Sequence, residues 1–329
     1  MILSRAPLRI TLGGGGTDLP SYYEGHGGFV LSAAVDKYVY ICLNRPAADR
    51  LIRLRYSRSE EVSEVAELEH DLVRPTLELL GPRENLEIAS LADVPAGTGL
   101  GSSGAYLVAL LTALHELKRE RVPPQALAEL AFHIERELAG HPVGKQDQYL
   151  AAFGGLTCLD IERDGRVHVS PLAAPVAVIE ELQSRLLLFF TSFSRRADTI
   201  LHAQQIATER EDATVVESLH RTKEIGLEIR AALERGEVDE VGRLMHEHWQ
   251  NKKRRSALIS RDDVDRWYDT GREAGALGGK LIGAGGGGFL VLYCPPAAKA
   301  TVCEALAAEG LRQMSYRFEY EGAKVLVNF

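Results

Sequence analysis

The stretch Pro95-Ala-Gly-Thr-Gly-Leu-Gly-Ser-Ser-Gly104 decides the fold, because it joins a β-rich segment to a helical one. A strand is predicted at Asn85–Leu91 and an apolar helical pattern at Ala105–Leu117. Glycines let the backbone turn so that successive N–H groups point at one anion, and the amino end of the following helix adds a positive dipole. The stretch therefore predicts a phosphate-binding loop, with a purely structural turn as the alternative.

Two common nucleotide-binding motifs do not account for this loop. A Walker A motif requires GxxxxGK[ST], whereas Gly104 is followed by Ala105 and Tyr106. Gly99-x-Gly101-x-x-Gly104 has the letters of a dinucleotide-binding fingerprint. The acidic residue expected about 20 positions later, at the end of a second strand, is absent because that region is helical in pattern. A nicotinamide-dependent oxidoreductase remains as the rival hypothesis.

Two further glycine runs lie near the ends of the chain. The first is Gly13–Gly16, which precedes Thr17 and Asp18, and the last is Gly283–Gly288, which follows Lys280. The chain holds 31 glycines in 329 residues, only slightly more than the ~7% of an average protein. Their clustering, rather than their number, indicates backbone that is turned toward a ligand or packed closely against another segment.

The composition is that of an ordinary folded protein. Hydrophobic residues make up 45% and charged residues 26% of the chain, and the formal net charge is −8. This acidic balance argues against general binding to nucleic acid, which needs a basic surface. The length favours two domains, and loops at Asp164-Gly165, Pro171 and Pro175 divide the chain into residues 1–175 and 176–329.

The predicted elements follow the order of an α+β chain. Strands are predicted at Phe29–Val35 and Tyr38–Leu43, separated by a tight turn at Asp36-Lys37. The composition changes at Leu186–Thr191, a continuous apolar run that predicts a buried strand. Residues 197–270 are almost entirely helical in pattern. Strands return after this helical region, so that each half combines strands with helices.

The cysteines and the apolar segments indicate the cellular compartment of the protein. Cys42, Cys158, Cys294 and Cys303 form no CxxC pair, and most lie in apolar runs typical of a reducing compartment. The amino-terminal residues contain no long apolar signal segment. The longest apolar stretch, Ala105–Leu114, is about half the ~20 residues needed to cross a bilayer. We therefore expect a cytoplasmic protein with no membrane partner.

Taken together, the three glycine runs resemble those of the GHMP kinases, the small-molecule kinases named for galactokinase, homoserine kinase, mevalonate kinase and phosphomevalonate kinase. The runs occur in the family's order and extend over nearly the whole chain. Arg5-Ala-Pro-Leu-Arg-Ile, followed by Gly13–Gly16 and Thr17-Asp18, is most similar to the sugar-1-kinase branch. Within that branch it is most like the D-glycero-D-manno-heptose 7-phosphate kinases, with fucokinase-like domains next.

This resemblance implies a fold and a reaction. The fold is a two-domain α+β arrangement, with an amino-terminal half like domain 2 of ribosomal protein S5 and a ferredoxin-like carboxyl-terminal half. The reaction is ATP-dependent phosphorylation of a sugar at its anomeric hydroxyl with Mg²⁺, converting the heptose 7-phosphate to the 1,7-bisphosphate. The alternatives are another sugar-1-kinase, such as a fucokinase, and a sugar and ATP sensor without turnover. A homodimer is possible.

The resemblance also implies which residues meet the nucleotide and perform catalysis. Asp147, in Gly140-His-Pro-Val-Gly-Lys-Gln-Asp147, matches the family's catalytic aspartate, which accepts the proton of the attacking hydroxyl or only orients it. An aspartate at this point would also suit a helix N-cap. The predicted nucleotide contacts are Pro95, Gly97, Thr98, Gly99, Leu100, Gly101, Ser102 and Ser103.

Two oxygen ligands for Mg²⁺ are implied in the same way. The Ser103 hydroxyl and the Glu135 carboxylate match the family's metal ligands, and few protein ligands suffice because Mg²⁺ keeps phosphate and water oxygens. Glu137, two residues along the same helix, is the alternative to Glu135. An exposed helix carboxylate without a ligand is the plainer interpretation.

The substrate is expected between the first glycine run and a group of cations. Arg9, Gly15, Gly16, Thr17 and Asp18 match the substrate motif, in which the aspartate binds sugar hydroxyls. If the sugar carries a 7-phosphate, we expect the basic side chains that could hold it to be Lys145, Arg195 and Arg196.

A second basic cluster, Lys252-Lys-Arg-Arg255, is predicted to be a solvated helix end, because four consecutive side chains spread around a helix. His246 and His248 are two residues apart and therefore lie on different helix faces, which makes a metal pair improbable.

Overall fold

The computed structural model describes residues 1–191 and 197–329. Both halves contain strands and helices, as the α+β pattern predicts. The strands are β1 (Ile2–Gly13), β2 (Gly28–Asn44), β3 (Ile52–Arg55), β4 (Ser59–Val62), β5 (Leu86–Ala92), β6 (Leu156–Ile161), β7 (Val167–Pro171), β8 (Leu186–Phe190), β9 (Gly278–Leu281), β10 (Phe289–Tyr293), β11 (Arg312–Gln313) and β12 (Lys324–Asn328).

Residues 197–270 are mostly helical, as predicted. The helix after the glycine loop extends the predicted pattern by one turn at its amino end. The helices are α1 (Pro20–His26), α2 (Val73–Leu80), α3 (Ser102–Leu117), α4 (Pro124–His133), α5 (Gln146–Phe153), α6 (Val176–Arg185), α7 (Ala197–Glu209), α8 (Ala213–Arg235), α9 (Val238–Lys253), α10 (Asp262–Glu273) and α11 (Lys299–Ala308).

The first sheet is organised around the long strand β2. Its path runs β12-β1-β2-β5-β3-β4, with β6 and β7 branching from β2. β1 pairs with β2 along most of its length, whereas β6 pairs with the first third of β2 and β5 with the last third. One strand therefore joins the two parts of this sheet.

The predicted turn at Asp36-Lys37 is wrong, because β2 continues through it. Val35 pairs with Leu8 and Tyr38 with the preceding Pro7, so Asp36 and Lys37 form a bulge in a single strand. The Asp36 carboxylate accepts hydrogen bonds from Lys37 Nζ at 2.9 Å and from the backbone N–H of Arg317 at 2.8 Å. A polar pair inside a strand is thus stabilised by a distant segment, and a bulge provides the extra residues with room.

Helix α3 is the central helix of the first half. It packs against β1, β2, α4 and α5, and its buried residues surround the helix rather than forming one stripe. A helix that is apolar on all sides belongs in a core. Its amino end, where the glycine loop enters, is consequently held by packing on several sides.

The second sheet is antiparallel, in the order β11-β8-β10-β9. Helices α9 and α10 pack on it, and their aromatic side chains Trp249, Trp267 and Tyr268 form a core with Phe189 and Leu292. The carboxyl-terminal strand β12 pairs with β1, so the second half of the chain contributes a strand to the first sheet. The division at residues 175 and 176 stays a prediction.

Across residues 1–191 and 197–329, no helix is both long and apolar enough to cross a lipid bilayer.

Candidate active site

A cleft of about 900 Å³ lies where the three glycine runs meet. It is bordered by residues from both sheets and from helices α3, α5, α7 and α9. Most of the residues predicted for the nucleotide, metal, substrate and catalytic roles line it. These are Arg9, Gly15, Gly16, Asp18, Pro95, Gly97, Gly99, Gly101, Ser102, Ser103, Glu135 and Asp147.

The glycine loop enters α3 through three residues with left-handed backbone. The φ angles of Gly97, Gly99 and Gly101 are +74°, +81° and +79°, a region that glycine occupies without steric cost. No side chain caps the amino end of α3, which begins at Ser102. Backbone N–H groups at an uncapped helix start lack partners and carry the positive end of the helix dipole, so this end suits a phosphate group.

The last glycine run packs its backbone directly on the glycine loop. A Cβ atom on Gly99 would lie 2.5 Å from the Ile282 carbonyl oxygen, and one on Gly283 would lie 2.6 Å from the Gly99 Cα atom. A Cβ atom on Gly288 would lie 2.1 Å from the Thr98 carbonyl oxygen. The run therefore has a packing role, and Gly283 also lines the cleft.

Gly288 offers a direct test of this packing. Its φ is +101°. We expect Gly288→Ala to lower the free energy of unfolding by about 3 kcal/mol, because left-handed backbone costs about 1–2 kcal/mol outside glycine and the contact with Thr98 adds overpacking. Chemical denaturation measures the change.

Gly310→Ala is the matched control for that experiment. Gly310 also has a positive φ, +83°, but a Cβ atom there would meet nothing within 4 Å. The free energy of unfolding of Gly310→Ala should fall only by the cost of the left-handed backbone, about 1–2 kcal/mol. Equal losses in the two variants would show that the close approach to the glycine loop contributes nothing.

Asp147 is held against the glycine loop by Arg9. The Arg9 Nε and Nη2 atoms lie 2.8 and 2.6 Å from Asp147 Oδ1. Arg9 Nη1 donates to the Gly99 carbonyl oxygen, and the Arg9 backbone N–H donates to the Leu100 carbonyl oxygen at 3.0 Å. Arg9 is buried, with 3% of its surface exposed. One guanidinium thus joins β1, the loop and Asp147.

The packing of α5 on α3 brings Asp147 close to the start of α3. A Cβ atom on Gly104 would lie 2.8 Å from Asp147 Cβ, so only glycine permits this approach. The N-cap position of α5 is Lys145, and no side chain caps the helix. The alternative that Asp147 is a helix cap is therefore wrong.

Asp18 is buried beside Asp147 and fixed by two backbone groups. Its Oδ1 accepts from the Gly16 N–H at 2.9 Å and its Oδ2 accepts from the Gln146 N–H at 3.1 Å. Burial raises the pKa of the Asp18 carboxyl, and the charge of Asp147 adds to the shift, while the backbone hydrogen bonds oppose it. The two carboxyl groups therefore occupy different environments within one cleft.

Glu135 also reaches the cleft, from a π-helical turn at Ile134–Leu138 that continues α4. Its Oε2 accepts from Gln148 Nε2 at 2.7 Å. Its Oε1 is buried and accepts no hydrogen bond within the described part of the chain, although His141 Nδ1 lies 3.9 Å from it. Glu137 is exposed. A buried carboxylate oxygen without a donor, with the Ser103 hydroxyl lining the same cleft, fits the oxygen ligands that Mg²⁺ prefers.

The prediction of a solvated helix end at Lys252-Lys-Arg-Arg255 is wrong for two of the four residues. Lys252 and Arg255 are buried and line the cleft, as does Lys280 from β9. Lys252 Nζ donates to the Gly283 carbonyl oxygen, and Lys280 Nζ donates to the Leu12 carbonyl oxygen at 3.0 Å. The end of α9 is therefore covered by β9 and the last glycine run.

The electrostatics of these three cations reflect their burial. Burial, followed by the charges of Arg255 and Arg9, lowers the pKa of Lys252 to about 7. Burial lowers the pKa of Arg255 to about 10. Burial and the charge of Lys252 lower the pKa of Lys280 well below its ordinary value. Among residues 1–191 and 197–329, no carboxylate lies within ion-pair distance of any of the three.

Aromatic side chains line a further part of the cleft. The rings of His70 and Tyr106 are stacked, with centroids 5.2 Å apart and planes 15° apart, and Tyr56 meets His70 edge-on at 4.7 Å. Leu91 completes this wall and has 73% of its surface exposed. An apolar, aromatic wall next to a phosphate loop suits a flat heterocyclic ring.

Comparison with known proteins identifies the family. Residues 62–155 match the family model described as the GHMP kinases N terminal domain, and residues 229–312 match that of the GHMP kinases C terminal domain. The chain belongs to the GHMP kinase family. The predicted two-domain α+β fold of that family is confirmed.

Several relatives of this GHMP kinase are sugar kinases. D-glycero-alpha-D-manno-heptose 7-phosphate kinase of Campylobacter jejuni is 29% identical, over 98% of both chains. A galactokinase of Roseiflexus is 30% identical, over 88% of this chain and 82% of the relative. The crystal structure of a D-glycero-D-manno-heptose 1-phosphate kinase from Bacteroides thetaiotaomicron superposes with a TM-score of 0.81 at 28% identity, over 100% of both chains. This GHMP kinase is a sugar kinase.

Some predicted residues of this GHMP kinase lie behind the cleft instead of lining it. The Thr17 hydroxyl donates a hydrogen bond shared between the Gly14 and Phe29 carbonyl oxygens. The Thr98 hydroxyl donates to the Pro95 carbonyl oxygen at 2.9 Å. Leu100 is fully buried. Their side chains support the glycine segments, so any ligand contact from these positions would come from the backbone.

The cations predicted for a substrate phosphate need correction. Lys145 is buried, and its Nζ lies 2.7 and 2.9 Å from the Glu129 carboxylate oxygens and 2.7 Å from the Gly165 carbonyl oxygen. The ammonium group is bound by these partners, and Lys145 does not line the cleft. Lys145 is therefore removed from the candidate substrate residues. Arg195 and Arg196 lie outside the described residues.

Proposed function

We propose that this sugar kinase transfers the γ-phosphoryl group of ATP to the anomeric hydroxyl of D-glycero-D-manno-heptose 7-phosphate, forming the 1,7-bisphosphate. The observation that carries the proposal is the position of the Asp147–Arg9 pair. On one side, Arg9 donates hydrogen bonds to Gly99 and Leu100 of the glycine loop. On the other side, Asp147 lies beside Asp18 on the substrate side of the cleft. Phosphoryl transfer needs a donor and an acceptor held on the two sides of such a group.

The donor side combines three features. The uncapped start of α3 and the N–H groups of the glycine loop bind the ATP phosphates through backbone dipoles. The aromatic wall of Tyr56, His70 and Tyr106 receives the adenine ring. Ser103 and Glu135 would hold Mg²⁺, which when bound supplies positive charge beside the phosphates.

The acceptor side supplies orientation and a proton acceptor. Asp147 Oδ1 is bound to Arg9, which leaves Oδ2 for the anomeric hydroxyl. As the bond from that oxygen to the γ-phosphorus forms and the bond to the β-phosphate oxygen breaks, the hydroxyl proton passes to Asp147. Asp18, held by the N–H groups of Gly16 and Gln146, accepts hydrogen bonds from other sugar hydroxyls.

The choice of heptose 7-phosphate is tested with a panel of acceptors in an assay of ADP release. The panel contains D-glycero-D-manno-heptose, its 7-phosphate and its 1-phosphate, together with D-galactose and L-fucose. We expect the kcat/KM for the 7-phosphate to exceed that for each neutral sugar by about 100-fold, since charge-assisted contacts to a phosphate contribute about 1.5–3 kcal/mol each.

Phosphorus NMR of the product identifies the acceptor hydroxyl, and heptose 1-phosphate is the internal control because its anomeric oxygen is blocked. Turnover of the 1-phosphate would mean that another hydroxyl is the acceptor. Equal kcat/KM values for galactose and for heptose 7-phosphate would favour a kinase of neutral sugars, the second candidate that the galactokinase relative supports.

A further inference from the structure

The Arg255 guanidinium has two anchored nitrogens and one that faces the cleft. Its Nε donates to Ser218 Oγ at 2.9 Å, and its Nη2 donates to Thr222 Oγ1, both on α8. Its Nη1 lies beside the first glycine run, where a Cβ atom on Gly16 would be only 3.3 Å away. Only 9% of the Arg255 surface is exposed, and no partner of Nη1 is found in residues 1–191 and 197–329.

Two further cations share this corner of the cleft. Lys252 and Lys280 are 8% and 3% exposed. Burial lowers the pKa of both lysines, and the charge of Arg255 adds to both shifts. Burying cations without counter-ions is unfavourable, and a protein retains such groups when a ligand supplies the opposite charge. The corner therefore fits an anion.

The position of Arg255 favours an anion on the acceptor and not the nucleotide. In the proposed function the glycine loop and the start of α3 bind the nucleotide phosphates, whereas Arg255 lies against Gly16, whose N–H donates to Asp18. Gln204 from α7 donates to the Gly16 carbonyl oxygen at 3.3 Å and closes the other side. A neutral sugar would bring no charge to this corner, but a phosphomonoester would.

We propose that Arg255, with Lys252 and Lys280 as neighbouring cations, binds the phosphate group that the acceptor already carries. The selection of a phosphomonoester over a neutral sugar then depends on a guanidinium that α8 holds in place. This inference rests on the proposed function, and it gives to Arg255, just beyond the carboxyl end of α9, the role that the sequence predicts for Lys145, Arg195 and Arg196.

The experiment compares Arg255→Gln, Arg255→Lys and the matched control Arg254→Gln. Arg254 is adjacent but exposed. For each protein, kcat and KM are measured with heptose 7-phosphate, with unphosphorylated heptose and with ATP. Calorimetry of heptose 7-phosphate without ATP gives the acceptor Kd separately from turnover.

We expect Arg255→Gln to lower the ratio of kcat/KM for heptose 7-phosphate to that for heptose by about 50-fold, with a matching rise in the acceptor Kd. Arg255→Lys should lower the ratio by about 5- to 10-fold, because a lysine keeps the positive charge but loses the planar set of N–H donors of the guanidinium. Arg254→Gln should keep the ratio of the parent. If Arg255→Gln does not fold, as judged by its thermal transition, Arg255→Lys decides.

Two outcomes would overturn the inference while leaving the proposed function intact. One is an unchanged ratio in the Arg255 variants of a parent enzyme that prefers the 7-phosphate. The other is an equal loss with both acceptors together with a raised KM for ATP, which would assign Arg255 to the transferred phosphoryl group. A parent enzyme without preference for the 7-phosphate would instead contradict the proposed function, and the inference with it.

Discussion

Replacing Asp147 with asparagine is expected to lower kcat about 1000-fold, within the 10²–10⁴-fold range that proton transfer contributes. The amide keeps an oxygen that can accept the hydrogen bonds from Arg9 Nε and Nη2, so the local geometry is retained. It loses the negative charge and the basicity that a proton acceptor needs. Steady-state kinetics with ATP and heptose 7-phosphate measure the loss, and the KM for ATP should change by less than about 3-fold.

The pH profile of the residual activity separates the two roles open to Asp147. A proton acceptor gives kcat an acidic limb in the parent that disappears in Asp147→Asn, whereas a residue that only orients the hydroxyl leaves the limb in place. Asp164→Asn is the control, because Asp164 is exposed in the β6–β7 turn and pairs with Arg166 there. A kcat within about 5-fold of the parent in Asp147→Asn would contradict both roles.

The parts of the site that the sequence predicts are those whose signal is local. The glycine loop can be predicted because Gly97, Gly99 and Gly101 adopt positive φ angles, which other residues avoid. The helix that follows can be predicted from its apolar pattern. The same holds for most strands and helices. Positions in these segments need no information from elsewhere in the chain.

The cation corner could not be predicted, because its signal is nonlocal. Four consecutive basic residues at a helix end look the same whether the end meets water or protein. Lys252 is buried because β9 and the Gly283 backbone cover it, and Arg255 because Ser218 and Thr222 on α8 receive it. Gly283 lies 31 residues after Lys252, and Thr222 and Ser218 lie 33 and 37 residues before Arg255.

Backbone irregularities limited the prediction in two other places. At Asp36 and Lys37 a polar pair between apolar segments looks like a turn, yet the contact with Arg317 far along the chain keeps the strand continuous. At Ile134–Leu138 the helix widens to a π turn, so an α-helical count does not give the direction of Glu135. π turns are frequent at functional sites because they redirect side chains.

The choice between Glu135 and Glu137 leads to the second large effect. Glu135 is 1% exposed and one of its carboxylate oxygens has no donor in the described part of the chain. We expect Glu135→Gln to raise the Mg²⁺ concentration required for half-maximal activity by about 100-fold, the upper end of what a lost metal-site interaction costs. Activity measured over a range of Mg²⁺ concentrations at saturating ATP tests this.

The same variant should not be less stable than the parent in buffer without metal. A carboxylate oxygen that accepts no hydrogen bond is costly to bury, so replacing the carboxylate with a neutral amide should raise the free energy of unfolding by about 1 kcal/mol. Loss of activity with a gain in stability marks a group that is kept for a ligand and not for the fold. Glu137→Gln is the control, since the exposed Glu137 should affect neither quantity. A shifted Mg²⁺ requirement in Glu137→Gln, with the parent's requirement in Glu135→Gln, would reverse the assignment.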